Sequence, residues 1–295
     1  MTALQPNGLF IGVDGGGTGC RARIENGAGD VLGTGIAGPA ALRFGIDRAL
    51  GEVEKACRAA LDEAGLEAGN LASIHAAVGL AGVGRKGALE ELVARPHPFR
   101  SVVYVNDATI ACIGAHGDRD GGIVIVGTGS VGFGVVGGQE FRVGGYGFPI
   151  SDQGSGADLG LHAIRSSLRA FDQRVVGTSL TRDVLQRFHD DPFEAVEWMD
   201  RATATDYATF APLVMRHADA GDSIARSIVR DAAEQIDELV RRLSECGASR
   251  VALLGGLASS MQPWLAPDVQ RRLVQVEGDA VDGALRLARR ATTKT

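Results

Sequence analysis

Short apolar runs that end in glycine alternate along the chain with longer segments of helical periodicity. Leu9 to Val13 is apolar throughout and stops at a run of glycines, which predicts a buried strand followed by a turn. Gly45 to Ala64 instead carries apolar residues at helical spacing and is followed by Gly65, a frequent residue just after a helix. The two patterns therefore predict strands and helices mixed along the chain.

The same patterns predict the remaining elements and the domain boundary. Further strands are predicted at Cys20 to Glu25, Asp30 to Ile36, Ser73 to Val78, Ser101 to Val105, Gly122 to Val126, Val131 to Val136, Gln139 to Val143 and Arg250 to Leu254. Further helices are predicted at Lys86 to Ala94, Ala108 to Ala115, Gly156 to Arg169, Ser179 to Phe188, Thr203 to Ala218, Ser223 to Ser244 and Ala280 to Arg290. A strand, a glycine turn and a hairpin occur twice. We place the boundary at the polar stretch His116 to Gly121, between domains 1–117 and 118–295. In an alternative assignment, the last helix belongs to the first domain.

Composition narrows the class of protein. A length of 295 residues suits two domains, and a net charge of -6 does not favour nucleic-acid binding. No run approaches the ~20 apolar residues of a membrane span. The four cysteines form no C-x-x-C pair, which favours a reduced, cytoplasmic protein. Glycine, at 42 residues, is about twice as frequent as the usual share of roughly 7%.

Two glycine-rich turns are candidates for binding phosphate. Asp14-Gly15-Gly16-Gly17-Thr18 and Gly127-Thr128-Gly129-Ser130 each follow a predicted strand. Without Cβ atoms, such turns can direct backbone N–H groups at phosphate oxygens, and Asp14 can hold Mg²⁺ through water. Each turn alone is equally consistent with a simple structural turn. As a pair, both followed by hairpins, they favour a phosphate site.

Three further segments are candidates for substrate chemistry. Asp107 follows a predicted strand and can accept the proton of an attacking hydroxyl, or can cap the helix that begins at Ala108. Residues 144–160 are too rich in Gly, Ser and Asp to form a core strand, and they can face a polyhydroxy ligand. Gly255-Gly256 allows close approach to a flat ring such as adenine, although the segment taken alone is more typical of an ordinary loop.

The order of these motifs resembles that of the N-acetylglucosamine kinases and the related BadF/BadG/BcrA/BcrD ATPases. The motifs are DGGGT, NDA, GTGS, GGYG with SDQGSGADLG, and LLGG, and the resemblance extends from about Leu9 to Leu287. It implies an α/β fold of two ribonuclease-H-like, actin-like ATPase domains with a cleft that closes over ATP and a sugar. It also implies a helical insertion at about 156–246 and a homodimer.

The resemblance assigns roles to individual residues through the motifs that they match. Gly15, Gly16, Gly17 and Thr18 would hold phosphates with Thr128 and Gly129, and Asp14 would serve Mg²⁺. Gly255 and Gly256 would lie against the adenosine of ATP. Asp107, next to Asn106, would activate the 6-hydroxyl of the sugar. Asp152 would bind sugar hydroxyls with the backbone of Gly144 and Gly145.

The implied reaction is phosphorylation of N-acetylglucosamine to its 6-phosphate, with two alternatives. Ala41 stands where the family usually has an Asn that helps to hold the sugar, so glucosamine is the first alternative substrate. Gln153 and Tyr146 replace the more usual Glu and Trp. The second alternative is an ATPase that activates a dehydratase, which would need cysteines for an iron–sulfur cluster. A chaperone-like or filament ATPase and a sugar-sensing repressor are weaker interpretations.

Overall fold

The computed structural model describes residues 8–117 and 119–292. The chain divides into two compact units: unit 1 is Met1–Arg119 with Gln275–Thr295, and unit 2 is Asp120–Val274. This division falls inside the polar stretch His116 to Gly121, two residues after the boundary drawn between residues 117 and 118. It also places residues 275–295 with the first unit, as in the alternative assignment in which the last helix belongs to the first domain.

The elements lie close to their predicted bounds. The strands are β1 Leu9–Gly15, β2 Cys20–Asn26, β3 Val31–Ala37, β4 Ile74–Leu80, β5 Ser101–Asn106, β6 Gly121–Val126, β7 Ser130–Val136, β8 Gln139–Gly144 and β9 Val251–Leu254. The helices are α1 Ile46–Glu63, α2 Ala88–Val93, α3 Asp107–His116, α4 Gly156–Phe171, α5 Ser179–Gln186, α6 Pro192–Met199, α7 Ala204–Ala208, α8 Ala211–Asp219, α9 Ser223–Glu245, α10 Ala258–Met261, α11 Pro267–Gln270 and α12 Ala280–Thr292. Within the described residues, no helix is long and apolar enough to cross a membrane.

The sheet of unit 1 is covered on both faces. Its strand order over the described residues is β3-β2-β1-β4-β5, with β1, β4 and β5 parallel and the β1–β2 and β2–β3 pairs antiparallel. Successive side chains of a strand point to opposite faces. Ile11 of β1 therefore packs into the core that contains Val53 of α1, whereas Phe10 packs with Ile110 of α3 and Leu285 of α12. The apolar character of β1 on both faces follows from this double covering.

Helix α12 belongs to unit 1 because it packs closely on α3 and is paired by charge to β2. A side chain at Gly283 would collide with the backbone carbonyl of Ile110, so glycine is required for this close approach of the helices. Arg23 of β2 pairs with Asp279 at 3.1 Å and with Asp282 at 2.5 Å. Packing and charge together place the end of the chain on the first sheet.

Unit 2 joins a smaller sheet to a helical layer. Its sheet has the order β8-β7-β6-β9 in the described residues, and β9 is parallel to β6. The predicted single helix from Thr203 to Ala218 is wrong: the structure has α7 and α8 there, because Pro212 lies in the first turn of α8 and cannot donate within a continuing helix. Helix α6 was not predicted; Asp191 caps it, and Pro192 is its first residue.

Candidate active site

The carboxyl ends of three parallel strands meet at one edge of the first sheet. Gly15, the last residue of β1, is the register partner of Leu80 in β4, and Leu80 is the partner of Asn106 in β5. The segments that follow these strands therefore start side by side. The structure thus brings the predicted phosphate turn, the loop after β4 and the predicted base Asp107 to the same edge.

The first glycine turn leaves amide groups available to a ligand. Gly16 donates to the carbonyl of Gly19 at 2.9 Å and accepts from the amide of Ala40 at 3.0 Å, which fixes the turn from both sides. Over the described part of the chain, the amides of Gly17 and Thr18 donate no hydrogen bond. Two such N–H groups beside the Thr18 hydroxyl are suitable donors for phosphate oxygens.

Asp14 is half-buried at the end of β1 and is paired with a cation. Its carboxylate accepts a hydrogen bond from Arg21 at 2.7 Å, because Arg21 stands directly opposite it in the β1–β2 hairpin. This hydrogen bond raises the pKa of the Arg21 guanidinium above its ordinary value. The described residues contain no group of three His, Cys, Asp or Glu side chains that would form an all-protein metal cage. Asp14 fits instead the one-carboxylate sites at which Mg²⁺ is completed by phosphate oxygens.

Asp107 is the first residue of α3, not its N-cap. The N-cap is Asn106, whose side-chain oxygen accepts from the amide of Ala108 at 3.1 Å. The interpretation of Asp107 as the residue that precedes the helix is therefore wrong by one position. Its side-chain oxygen also accepts from the amide of Ala108, at 2.9 Å. The positive end of the helix dipole favours the ionised carboxylate, which is the form a general base needs.

A matching edge exists in the second sheet. Ile125 of β6 is the register partner of Leu254 in β9, so the turn at 127–129 and Gly255-Gly256 start side by side. Gly255 has a φ of 98°, and a side chain there would collide with the carbonyl of Val126. In the described residues, the amides of Thr128 and Gly129 donate no hydrogen bond. The second turn therefore offers the same donors as the first.

The segment predicted to bind the sugar, residues 144–160 and called the sugar segment below, is held firmly around Asp152. Asp152 has a φ of 66°, and its carboxylate accepts from the amide of Gly147 at 3.0 Å. Ser130 donates to the carbonyl of Gln153 at 2.7 Å, and the carboxylate of Asp158 accepts from the amide of Gly154 at 2.9 Å. These contacts fix the backbone on both sides of Asp152, as a binding side chain requires.

Gly144, Gly145 and Asp152 line one cavity of about 330 Å³, together with residues of β7, β8 and α9. The Asp152 carboxylate also lies against Gly129, where it leaves no room for a side chain. The structure thus brings the sugar-binding candidates of unit 2 next to its phosphate turn. The sequence analysis named Ser130 within the second turn but gave no site role to Arg21 or to the α9 residues of this cavity. Only Arg21 could have been found from the sequence, because the register of the predicted hairpin places it opposite Asp14.

Three comparisons with known proteins cover nearly the whole chain or a large part of it. The chain is 39% identical over 279 residues to glucosamine kinase GspK of Vibrio cholerae, and the match covers 95% of each protein. It is 32% identical over 176 residues to an N-acetylmuramic acid/N-acetylglucosamine kinase of Clostridium acetobutylicum, which covers 57% of each. A crystal structure from Chromobacterium violaceum, provisionally named an N-acetylglucosamine kinase, has a TM-score of 0.85 and 35% identity over 95% of this chain and 99% of that one.

These findings confirm the predicted α/β fold with two ribonuclease-H-like domains, which the two sheets also support. The model of the BadF/BadG/BcrA/BcrD ATPase family matches residues 11–288, which is nearly the entire described chain. The resemblance that we based on the ordered motifs is therefore confirmed. The chain belongs to the BadF/BadG/BcrA/BcrD ATPase family.

Proposed function

We propose that this protein is an ATP-dependent amino-sugar kinase that transfers the terminal phosphoryl group of ATP to the 6-hydroxyl of glucosamine. One observation carries the proposal: the 39% identity to a glucosamine kinase spans 95% of both proteins. The family model, which matches residues 11–288, spans both phosphate turns and the sugar segment. The homodimer and the cytoplasmic location stay predictions.

The nucleotide would be held by the two glycine turns. Phosphoryl transfer depends on positioning and on neutralisation of charge more than on covalent participation of the protein. Four backbone amides that donate no hydrogen bond among the described residues supply partial positive charge for this purpose: those of Gly17, Thr18, Thr128 and Gly129. Mg²⁺, when bound, neutralises phosphate charge, and Asp14 is the carboxylate that would hold it. Gly255 and Gly256 would lie against the adenosine.

Asp107 would act as the general base. It lies at the same sheet edge as the first phosphate turn, and the start of α3 favours its ionised form. As the 6-hydroxyl oxygen forms its bond to phosphorus, the Asp107 carboxylate takes the hydroxyl proton and ADP leaves. Asn106 orients the start of the helix through its cap.

Asp152 and the backbone of Gly144 and Gly145 would bind the sugar hydroxyls. N-acetylglucosamine is the second candidate substrate, favoured by the partial match to the Clostridium acetobutylicum kinase. Ala41 argues for the unacetylated sugar as the better substrate. It is buried where the resemblance expects Asn, and its methyl group can offer no hydrogen bond to a sugar.

The test is ADP release with ATP and Mg²⁺ across glucosamine, N-acetylglucosamine, N-acetylmannosamine, glucose and no sugar. We expect the highest kcat/KM with glucosamine, and NMR of the product should show phosphate on the 6-oxygen. A preference for N-acetylglucosamine would replace the first candidate by the second. Hydrolysis that no sugar stimulates would contradict a sugar kinase and support the activator ATPase.

A further inference from the structure

The cavity beside Asp152 has one wall that no part of the proposed function uses. At about 330 Å³ its volume lies in the range of sites for small ligands, roughly 300–1,000 Å³. One side consists of the sugar segment and Ser130. The other side is a face of helix α9, and its members are Gln235, Glu238, Leu239 and Arg242. Their spacing of three, four and seven residues from Gln235 is that of one helical face.

This face of α9 is fixed relative to the sugar segment. Leu239 packs against Gly144, 3.3 Å from the position that a side chain of Gly144 would take. Ala232 and Ile236 confine Gly154 at the other end of the segment. Glu238 directly precedes Leu239 and is exposed to solvent in the cavity. Because α9 packs against the segment at Gly144 and at Gly154, Glu238 lines the cavity from a rigid element.

The charges that line the cavity favour a cation. Two acidic residues, Asp152 and Glu238, line it together with one basic residue, Arg242, whose guanidinium pairs with Glu245 at 2.9 Å. Among residues 8–117 and 119–292, no Lys or Arg forms an ion pair with Glu238.

Two further cations lie close to these residues, and each has another partner. Arg241 pairs with Asp268 at 3.1 Å. Arg142 donates to the carbonyl of Gly144 at 3.0 Å and lies over the ring of Tyr146. The hydrogen bond to Asp268 is the main cause of the raised pKa of Arg241, and the charge of Glu238 contributes to it, but neither cation forms an ion pair with Glu238.

We propose that Glu238 binds the protonated 2-amino group of glucosamine and so selects the amino sugar over its N-acetyl derivative. The inference rests on the proposed function, because it takes Asp152 and its cavity as the sugar site. An ammonium group gains Coulomb energy beside a carboxylate, whereas a neutral acetamide does not and must also fit its acetyl group into the cavity. Glu238 is then a specificity-determining residue.

The test is Glu238→Gln, measured with both sugars. The variant keeps the size of the side chain and removes the charge. We expect KM for glucosamine to rise about threefold to fivefold with kcat unchanged, since an exposed ion pair contributes uniform binding of modest size. KM for N-acetylglucosamine should not change. Glu234→Gln is the matched control, because Glu234 is exposed one turn earlier on α9 and does not line the cavity.

The outcomes separate this inference from the proposed function. A wild-type enzyme that phosphorylates neither sugar would contradict the proposed function, and calorimetric titration of glucosamine into wild type and Glu238→Gln would still decide the inference. If Glu238→Gln changed KM equally for both sugars, or left KM for glucosamine unchanged, the role of Glu238 would be overturned. Added KCl should weaken glucosamine binding in the wild type and have less effect in the variant, because salt screens the ion pair.

Discussion

At the scale of single residues, Asp107 carries the sharpest expectation for chemistry. Replacement by Asn keeps a side-chain oxygen that can accept from the amide of Ala108, but an amide cannot take the proton of the 6-hydroxyl. We expect Asp107→Asn to lower kcat by about 10²- to 10⁴-fold, the usual contribution of general-base catalysis. The affinity for ATP, measured by calorimetric titration, should stay near that of the wild type.

Glu90→Gln is the control for the loss of a carboxylate from the first turn of a helix. Glu90 lies in the first turn of α2, so its removal makes a similar change to a helix start outside the predicted site. Its kcat should equal that of the wild type. Retained turnover in Asp107→Asn would remove Asp107 from the mechanism, and loss of ATP binding would point to a damaged fold instead.

The placement of single residues was predictable where it depends on strand ends. Asp14 and the two glycine turns follow apolar runs, and within each sheet the parallel strands bring their carboxyl ends to one edge. The exact cap at Asn106 was not predictable, because Asn and Asp are almost equally good caps and stand side by side. Glu238 was not predictable either, because a charged residue on an amphipathic helix has no signal that distinguishes a cavity from bulk solvent.

At the scale of elements, the packing of α12 on α3 overrides helix propensity. Ala is favoured over Gly inside a helix by about 1 kcal/mol. At Gly283, however, a methyl group would collide with the backbone carbonyl of Ile110, which cannot move without a shift of the whole helix. We expect Gly283→Ala to lower the free energy of unfolding by about 1–3 kcal/mol in urea denaturation.

Gly51→Ala is the matched comparison. Gly51 lies inside α1, and the space around its missing side chain is open. This substitution should raise the free energy of unfolding by about 0.5–1 kcal/mol, because Ala has a higher helix propensity than Gly and no steric conflict opposes it. If both variants moved stability in the same direction, the close packing of α12 on α3 would not be the dominant effect at Gly283.

Most elements were predictable because their apolar period is regular. The strands before the glycine turns and helix α9 differ from prediction by only a few residues at their ends. The failure between Thr203 and Ala218 has a local cause: the apolar pattern continues through Pro212, but the backbone hydrogen bonds do not. The Asp191-Pro192 pair was a start signal for α6 that the sequence did contain.

At the scale of the whole molecule, the end of the chain folds with its beginning. The apolar residues of α12 predict a helix, but a periodic pattern does not say which of two sheets the helix will cover. That choice depends on the shape of the partner face, in this chain the glycine contact with α3, and on the pairing of Arg23 with Asp279 and Asp282. Long-range contacts of this kind have no local sequence signal.

The distribution of thiols over the two units gives the last prediction. Cys20, Cys57 and Cys112 are buried in unit 1, whereas Cys246 at the end of α9 is partly exposed. Burial, together with the carboxylates of Asp14 and Glu52, raises the pKa of Cys20 to about 12. Only a thiolate reacts readily. We therefore expect one thiol per chain to react with Ellman's reagent within minutes at neutral pH, and four in denaturant.

Cys246→Ser should abolish the fast reaction of the native protein and leave three thiols that report the unfolding of unit 1. Two or more fast thiols in the native wild type would contradict the burial of the cysteines of unit 1. The same experiment bears on the activator ATPase, because an iron–sulfur cluster needs thiolate ligands that a second subunit can share. With one accessible thiol in each chain, a symmetric pair offers two thiolates, whereas such a cluster takes four, so reconstitution with iron and sulfide should leave no iron bound.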